Sequence, residues 1–150
     1  MTNQKNLLVS LCKESIRQKI ERMRVLIQEA QQSANEETKS TAGDKYETAR
    51  AMAQLEIEKY ASQLSELQKQ SLELEKINTS VLRDRIGPGS LVETSNGNFL
   101  ITVNAGEFEV GGRKFYAVSQ QSPIAQKMSG LTTNDSFAIN GRTYTIVSLE

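Results

Sequence analysis

The sequence predicts an α+β protein: an antiparallel helical hairpin followed by a small antiparallel β-sheet domain with one short helix. Two observations carry that prediction. Apolar residues recur at helical spacing through the first half, at Cys12, Ile16, Ile20, Met23, Ile27, Ala30 and Ala34 and again at Ala49, Ala53, Ile57, Tyr60, Leu64, Leu67, Leu74 and Val81. Composition then changes near Ile86-Gly87-Pro88-Gly89: eight of the nine glycines, both prolines and six of the eight aromatics follow that point. Helix formers give way to turn and strand formers, which places a domain boundary there, with a hairpin over 1–86 and a second domain over 87–150.

Two heptad-patterned runs of similar length joined by a short break should fold back as an antiparallel coiled coil. Pairing Met23 with Tyr60, Ile16 with Leu67 and Ala30 with Ala53 puts the fold-back between Thr41 and Ala42, beside Gly43, the single glycine of this half. Arms of roughly 35 residues reach about 50 Å. Ser71 and Asn78 interrupt the second seam with polar groups. Cys12 falls on an apolar helical position and reads as core.

The second half alternates as strands. Ser90–Thr94 leads to the turn signal Asn96-Gly97, and Asn98–Val103 follows. Phe108–Val110 meets Gly111-Gly112, and Arg113–Val118 returns. Ser122 and Pro123 open a short helix through Met128, as N-cap and first-turn proline. A last hairpin turns about Gly141. A module of about 60 residues is marginal alone and needs a partner surface.

Composition excludes much chemistry. The chain has no histidine and one cysteine. Histidine-dependent nucleophilic catalysis, histidine-ligated metals and thiolate zinc sites are therefore absent. Net charge is zero, so no overall basic field draws nucleic acid or an anionic membrane. The polar opening, the lack of an 18-residue apolar run and the lone cysteine lead to the expectation of a cytoplasmic protein without membrane contact. Lys13, Arg17, Lys19, Arg22 and Arg24 could face nucleic acid or an acidic partner; a solvated coiled-coil face is the commoner use of such a run.

The candidate site lies at the fold-back. Asp44 and Glu47 stand three residues apart in Thr41-Ala42-Gly43-Asp44-Lys45-Tyr46-Glu47-Thr48-Ala49-Arg50. One reading is a capping box at a helix start. If Ser40 or Thr41 is the cap instead, both carboxylates project from one face. They are then hard oxygen ligands suited to Mg²⁺, too few to hold it without a partner's help.

Gly43-Asp44-Lys45-Tyr46-Glu47-Thr48-Ala49 resembles the Gly-Asp-x-x-Glu-x-Ala tip of the bacterial Gre transcript-cleavage factors, the GreA/GreB family. Ser122-Pro123-Ile124-Ala125, Gly130 and Asn134-Asp135 are similar, in the same order, to that family's second-domain loop and turn. The resemblance implies an FKBP-like second domain and a role as a transcription elongation factor. The coiled coil would enter the secondary channel of RNA polymerase, and the factor would be an accessory rather than an enzyme. Asp44 and Glu47 would be the metal-side pair for cleavage of backtracked RNA, with Gly43, Lys45 and Tyr46 completing the tip. Gln121, Ser122, Pro123 and Ile124 would form the docking loop. The factor would be a monomer with no cofactor of its own, sharing Mg²⁺ with the polymerase and touching nascent RNA only indirectly.

Departures are visible. Thr48-Ala49-Arg50-Ala51 stands where the family continues with Asn-Ala and an acidic-aromatic pair. Tyr46 replaces a small polar residue, and Gln121 stands where an Asp often precedes Ser-Pro. A non-cleaving regulator of the same channel and an unrelated coiled-coil interaction protein, a monomer or a dimer, therefore both stay open. Prolyl isomerase activity is a weaker expectation, because the sequence shows no aromatic proline pocket.

Overall fold

The structure, a computed structural model, describes residues 2–40, 44–81 and 83–150, with side chains described over 4–36, 47–81 and 83–150. Two long helices come first, α1 (Thr2–Ser40) and α2 (Asp44–Glu75). Six strands and a short helix follow: β1 (Leu91–Thr94), β2 (Gly97–Thr102), β3 (Gly106–Val110), β4 (Arg113–Ser119), α3 (Pro123–Met128), β5 (Ser136–Ile139) and β6 (Arg142–Leu149). The chain packs as two compact units, Met1–Ser15 with Leu72–Glu150, and Ile16–Ser71.

The unit Ile16–Ser71 is built from helical seams. On α1, Ile16 and Ala30 are buried and Ile20, Met23, Ile27 and Ala34 are half-buried. On α2, Ala49, Ala53, Ile57, Tyr60, Leu64, Leu67 and Ser71 are half-buried in the same rhythm. These are the positions the periodicity picks out, alternating steps of three and four so that each helix shows one stripe to the other. Gln31 and Ala34 share a shallow cleft with Gln54 and Ile57, which sets these turns of α1 and α2 face to face.

The second seam ends sooner than the sequence suggests. α2 stops at Glu75, so Asn78 and Val81 are not helical. Asn78 is a turn residue instead: its Oδ1 accepts from the backbone N–H of Ser80 at 3.0 Å and from its hydroxyl at 2.6 Å. A short amide side chain that can bond the backbone two residues on stabilises a turn in preference to another helical step.

In the other unit the strand order is β3-β4-β2-β1-β6-β5. The sheet is mixed, not purely antiparallel, because β2 and β4 pair in parallel, Phe99 with Tyr116 through Thr102 with Ser119. The chain leaves β2 through Val103-Asn104-Ala105, forms the outer strand β3 and returns through a hairpin so that β4 fills the place beside β2. Asn104 fixes the crossing by accepting the Ser119 N–H at 3.0 Å. Gly111 and Gly112 both have positive φ, 60° and 77°, as a two-residue hairpin of this hand requires. The first hairpin differs by one residue from the Asn96-Gly97 turn signal: Thr94 pairs with Gly97, so Ser95 and Asn96 make the turn and Gly97 begins β2. Asn96 lacks the positive φ that an Asn-Gly turn would demand.

All four residues from Phe99 to Thr102 are buried, so both faces of β2 are covered. One face carries a cluster of Ile86, Val92, Phe99, Ile101, Ala125, Met128, Tyr144 and Ile146. Leu8, Val9, Cys12 and Leu74 are buried in the same compact unit. Burial pushes the Cys12 thiol up to about 11, as expected of a core cysteine. Lys5, only 2% exposed, donates from Nζ to the carbonyl of Glu150 at 3.3 Å.

Across the sheet, Arg113 on β4 reaches Glu93 on β1, Nη2 to Oε1 at 2.7 Å. That hydrogen bond holds the Glu93 carboxyl below its usual range. A depressed folded pKa means stability that is complete above the unfolded value of about 4.3 and lost as pH falls through the folded one. Arg113→Met should therefore lower Tm at pH 7, and the gap from wild type should close on acidification. A gap that persists unchanged at pH 2 would show that the effect lies elsewhere.

Candidate functional site

Of the expected tip, Gly43 lies outside the described residues, as do the side chains of Asp44, Lys45 and Tyr46. Asp44 is the first helical residue of α2, and Glu47 is exposed three residues on, less than one turn further along the same face. Thr48 is exposed and Ala49 half-buried. The helices thus end at Ser40 and restart at Asp44, on either side of the position where the seam pairing puts the fold-back. Among the described residues no three carboxylate or thiolate groups converge as a metal shell.

The loop before α3 is built locally. Ser122 is the N-cap: its Oγ accepts from the Ala125 N–H at 3.3 Å and donates to the Ser119 carbonyl at 2.7 Å. Pro123 occupies the first helical turn, where its missing N–H costs nothing. Ile124 is half-buried against the sheet cluster. Gln121 and Pro123 are exposed, while the Gln121 carbonyl accepts from Nε2 of Gln126 at 3.2 Å. Ser122 and Ile124 thus hold the loop, and Gln121 and Pro123 are the side chains it presents. Ser122→Ala should cost about 1 kcal/mol, the usual worth of such a cap, and lower Tm by a few degrees. An unchanged melting curve would mean the cap is not needed.

Helix α3 ends before Gly130, whose φ of 81° turns the chain, and Asn134 adopts a φ of 77°. Asp135 Oδ2 accepts the Thr132 N–H at 2.9 Å, closing that turn. The segment joining the helices to the sheet is tied to the same turn, since Ile86 N–H donates to Leu131 O at 2.8 Å and Arg85 Nη1 to Gly130 O at 2.9 Å. The motif residues Ser122, Pro123, Gly130, Asn134 and Asp135 therefore each have a structural use here.

The basic run on α1 is at least partly engaged within the chain. Lys13 lies 3.7 Å from Glu75, and Arg24 3.8 Å from Glu21, both pairs well exposed. A cleft beside α3, lined by residues including Pro88, Gln120, Ala125 and Gln126, has no aromatic wall of the kind a proline pocket needs. No described helix is long and apolar enough to cross a membrane. A second cleft, bordered by Arg83 and Thr102, had no counterpart among the sequence motifs; the only hint was the pair of arginines, Arg83 and Arg85, leading into Gly87-Pro88-Gly89.

No family model matches the sequence. No curated protein matches it either. Among solved structures, that of the transcription factor Gfh1 aligns over 91% of this chain and 92% of its own, at 19% identity and a TM-score of 0.36. So loose a superposition carries no argument for this chain. The class defined by the chain's own residues is a long helical pair joined to a six-stranded mixed sheet with one short helix.

Proposed function

We propose that this chain is a transcription elongation factor of the Gre type, which enters the secondary channel of RNA polymerase and stimulates cleavage of backtracked RNA. The observation that carries the reading is the Gly-Asp-x-x-Glu-x-Ala run at the junction of two long helices, with Glu47 exposed at the start of α2. A pair of carboxylates at that junction is too small a ligand set for a metal site of its own and well suited to complete another protein's. Asp44 and Glu47 would supply oxygen ligands to a Mg²⁺ held mainly by the polymerase. When bound, that ion stabilises the attacking and leaving oxygens of phosphodiester hydrolysis. Gln121 and Pro123 would contact the rim of the channel, with Ser122 and Ile124 fixing the loop behind them. On this reading the chain acts as a monomer, contributes no active site of its own and stays clear of membranes.

A second reading has its own support. Tyr46 between the carboxylates, Arg50 after them and Gln121 before Ser-Pro all depart from the cleaving pattern, which favours a regulator that occupies the channel without cleaving. A backtracked elongation complex from the cognate polymerase separates the two. Added protein should shorten the RNA from its 3′ end; binding without shortening identifies the channel regulator. Failure to bind the polymerase, with a dimer in solution, would leave a coiled-coil interaction protein whose acidic pair is a helix cap.

A further inference from the structure

A buried cluster of charge lies at the start of α1, inside the compact unit formed by Met1–Ser15 and Leu72–Glu150. Lys5 is 2% exposed, and among the described residues its one hydrogen-bond acceptor is the carbonyl of Glu150, 3.3 Å away. That carbonyl is shared, because the Leu91 N–H also donates to it at 2.9 Å. An ammonium carries three donors, so most of this one's hydrogen-bonding capacity is unmet. The charged groups that face Lys5 are Arg83, from the segment after α2, and Glu150, which follows β6. Neither is fully satisfied: Nε of Arg83 and Oε2 of Glu150 are both buried without a hydrogen-bond partner. Two cations and one carboxylate thus share a desolvated place, and one positive charge is left uncompensated. Burying such a charge is costly, and the ordinary relief is loss of a proton. A guanidinium does not give one up, which leaves the Lys5 ammonium as the group that can.

We propose that Lys5 is a pH-responsive latch, which holds the start of α1 on the sheet loosely when protonated and tightly once it has lost its proton. Deprotonation leaves Arg83 and Glu150 as a balanced pair, and the neutral amine gains a lone pair able to accept a hydrogen bond. Burial first, and the Arg83 guanidinium second, draw the Lys5 ammonium below its ordinary range, while Glu150 draws it the other way. A lysine so lowered binds fewer protons in the folded chain than in the unfolded one, where it titrates at about 10.4. Stability therefore rises as pH climbs through the folded pKa and levels off above the unfolded one. The latch is separate from the carboxylates of α2 and does not depend on the polymerase reading.

The test is a pH titration of the lysine side-chain amine signals of the full chain by NMR, with Lys5 assigned through bonds. Melting curves of wild type, Lys5→Met and Lys5→Arg accompany it. Lys5 should lose its proton about one pH unit or more below the exposed lysines. Wild type should gain Tm relative to Lys5→Met between about pH 7 and about pH 10, since only wild type has this charge to shed. Lys5→Arg keeps a charge that no pH in this range removes, so it should melt below wild type, by a gap that widens as pH rises. Titration of Lys5 together with the exposed lysines would overturn the proposal. So would a Tm difference between wild type and Lys5→Met that stays constant over the range. The wild-type titration needs no variant, so it decides the matter even where a substituted chain fails to fold.

Discussion

Asp44→Asn/Glu47→Gln should abolish stimulated RNA cleavage, by about 100-fold or more, while leaving binding to the polymerase within about twofold. The two amides keep the size of the carboxylates and remove their charge, so any loss reports on oxygen donation to a cation and not on bulk. Metal stabilisation of a phosphodiester transition state is worth several kcal/mol, and each 1.4 kcal/mol is about tenfold in rate. Glu47 is exposed on its helix, so its replacement disturbs no packed neighbour. Rate and affinity are best measured together on one backtracked complex over a range of Mg²⁺ concentrations. A ligand role predicts that excess Mg²⁺ partly restores the single variants. Full cleavage by the double variant would mean the carboxylates act only as a helix cap, in which case its melting temperature should fall instead.

Phe115→Ala should be the most damaging single truncation in the sheet unit. Phe115 is 1% exposed, on the strand that pairs with β3 on one side and with β2 on the other. Phe115 pairs with Phe108 in the β3–β4 register, and the Arg113 guanidinium is 5.6 Å from its ring centroid. Removing a buried phenyl costs about 3–5 kcal/mol, a large part of a total stability of about 5–15 kcal/mol. For a chain of this size that is a fall in Tm of roughly 6–20 °C. The helices dominate the far-ultraviolet signal, so near-ultraviolet dichroism and amide exchange in β2 and β4 are the probes to use. A drop of under about 3 °C, with exchange protection unchanged, would show that β4 does not depend on this ring.

Much of the fold was legible in local pattern. The seam positions from Ile16 to Ala34 and from Ala49 to Ser71, the Ser122 cap and the Gly111-Gly112 turn are each specified by residues within a few places of one another. Periods of 3.6 and 2, caps and turn residues are properties of short windows, and short windows are what a single sequence displays. The acidic pair and the Ser-Pro loop were legible as motifs for the same reason.

What the tertiary structure decided is non-local. The parallel pairing of β2 with β4 joins residues that no turn connects directly, so Asn104 and Ser119 show their link only once the strands are placed. The end of α2 at Glu75 was hidden because Val81 continues the apolar rhythm of Leu67 and Leu74, which the Asn78–Ser80 turn overrides. Lys5 is buried, and its partner is the carbonyl of Glu150, far away in the chain. The Arg83–Thr102 cleft is formed by a linker and a strand end that share no motif. Local chemistry fixes which residues make helices, strands and turns; which of those elements become neighbours, and which polar atoms they leave unpaired, depends on packing between residues distant in sequence.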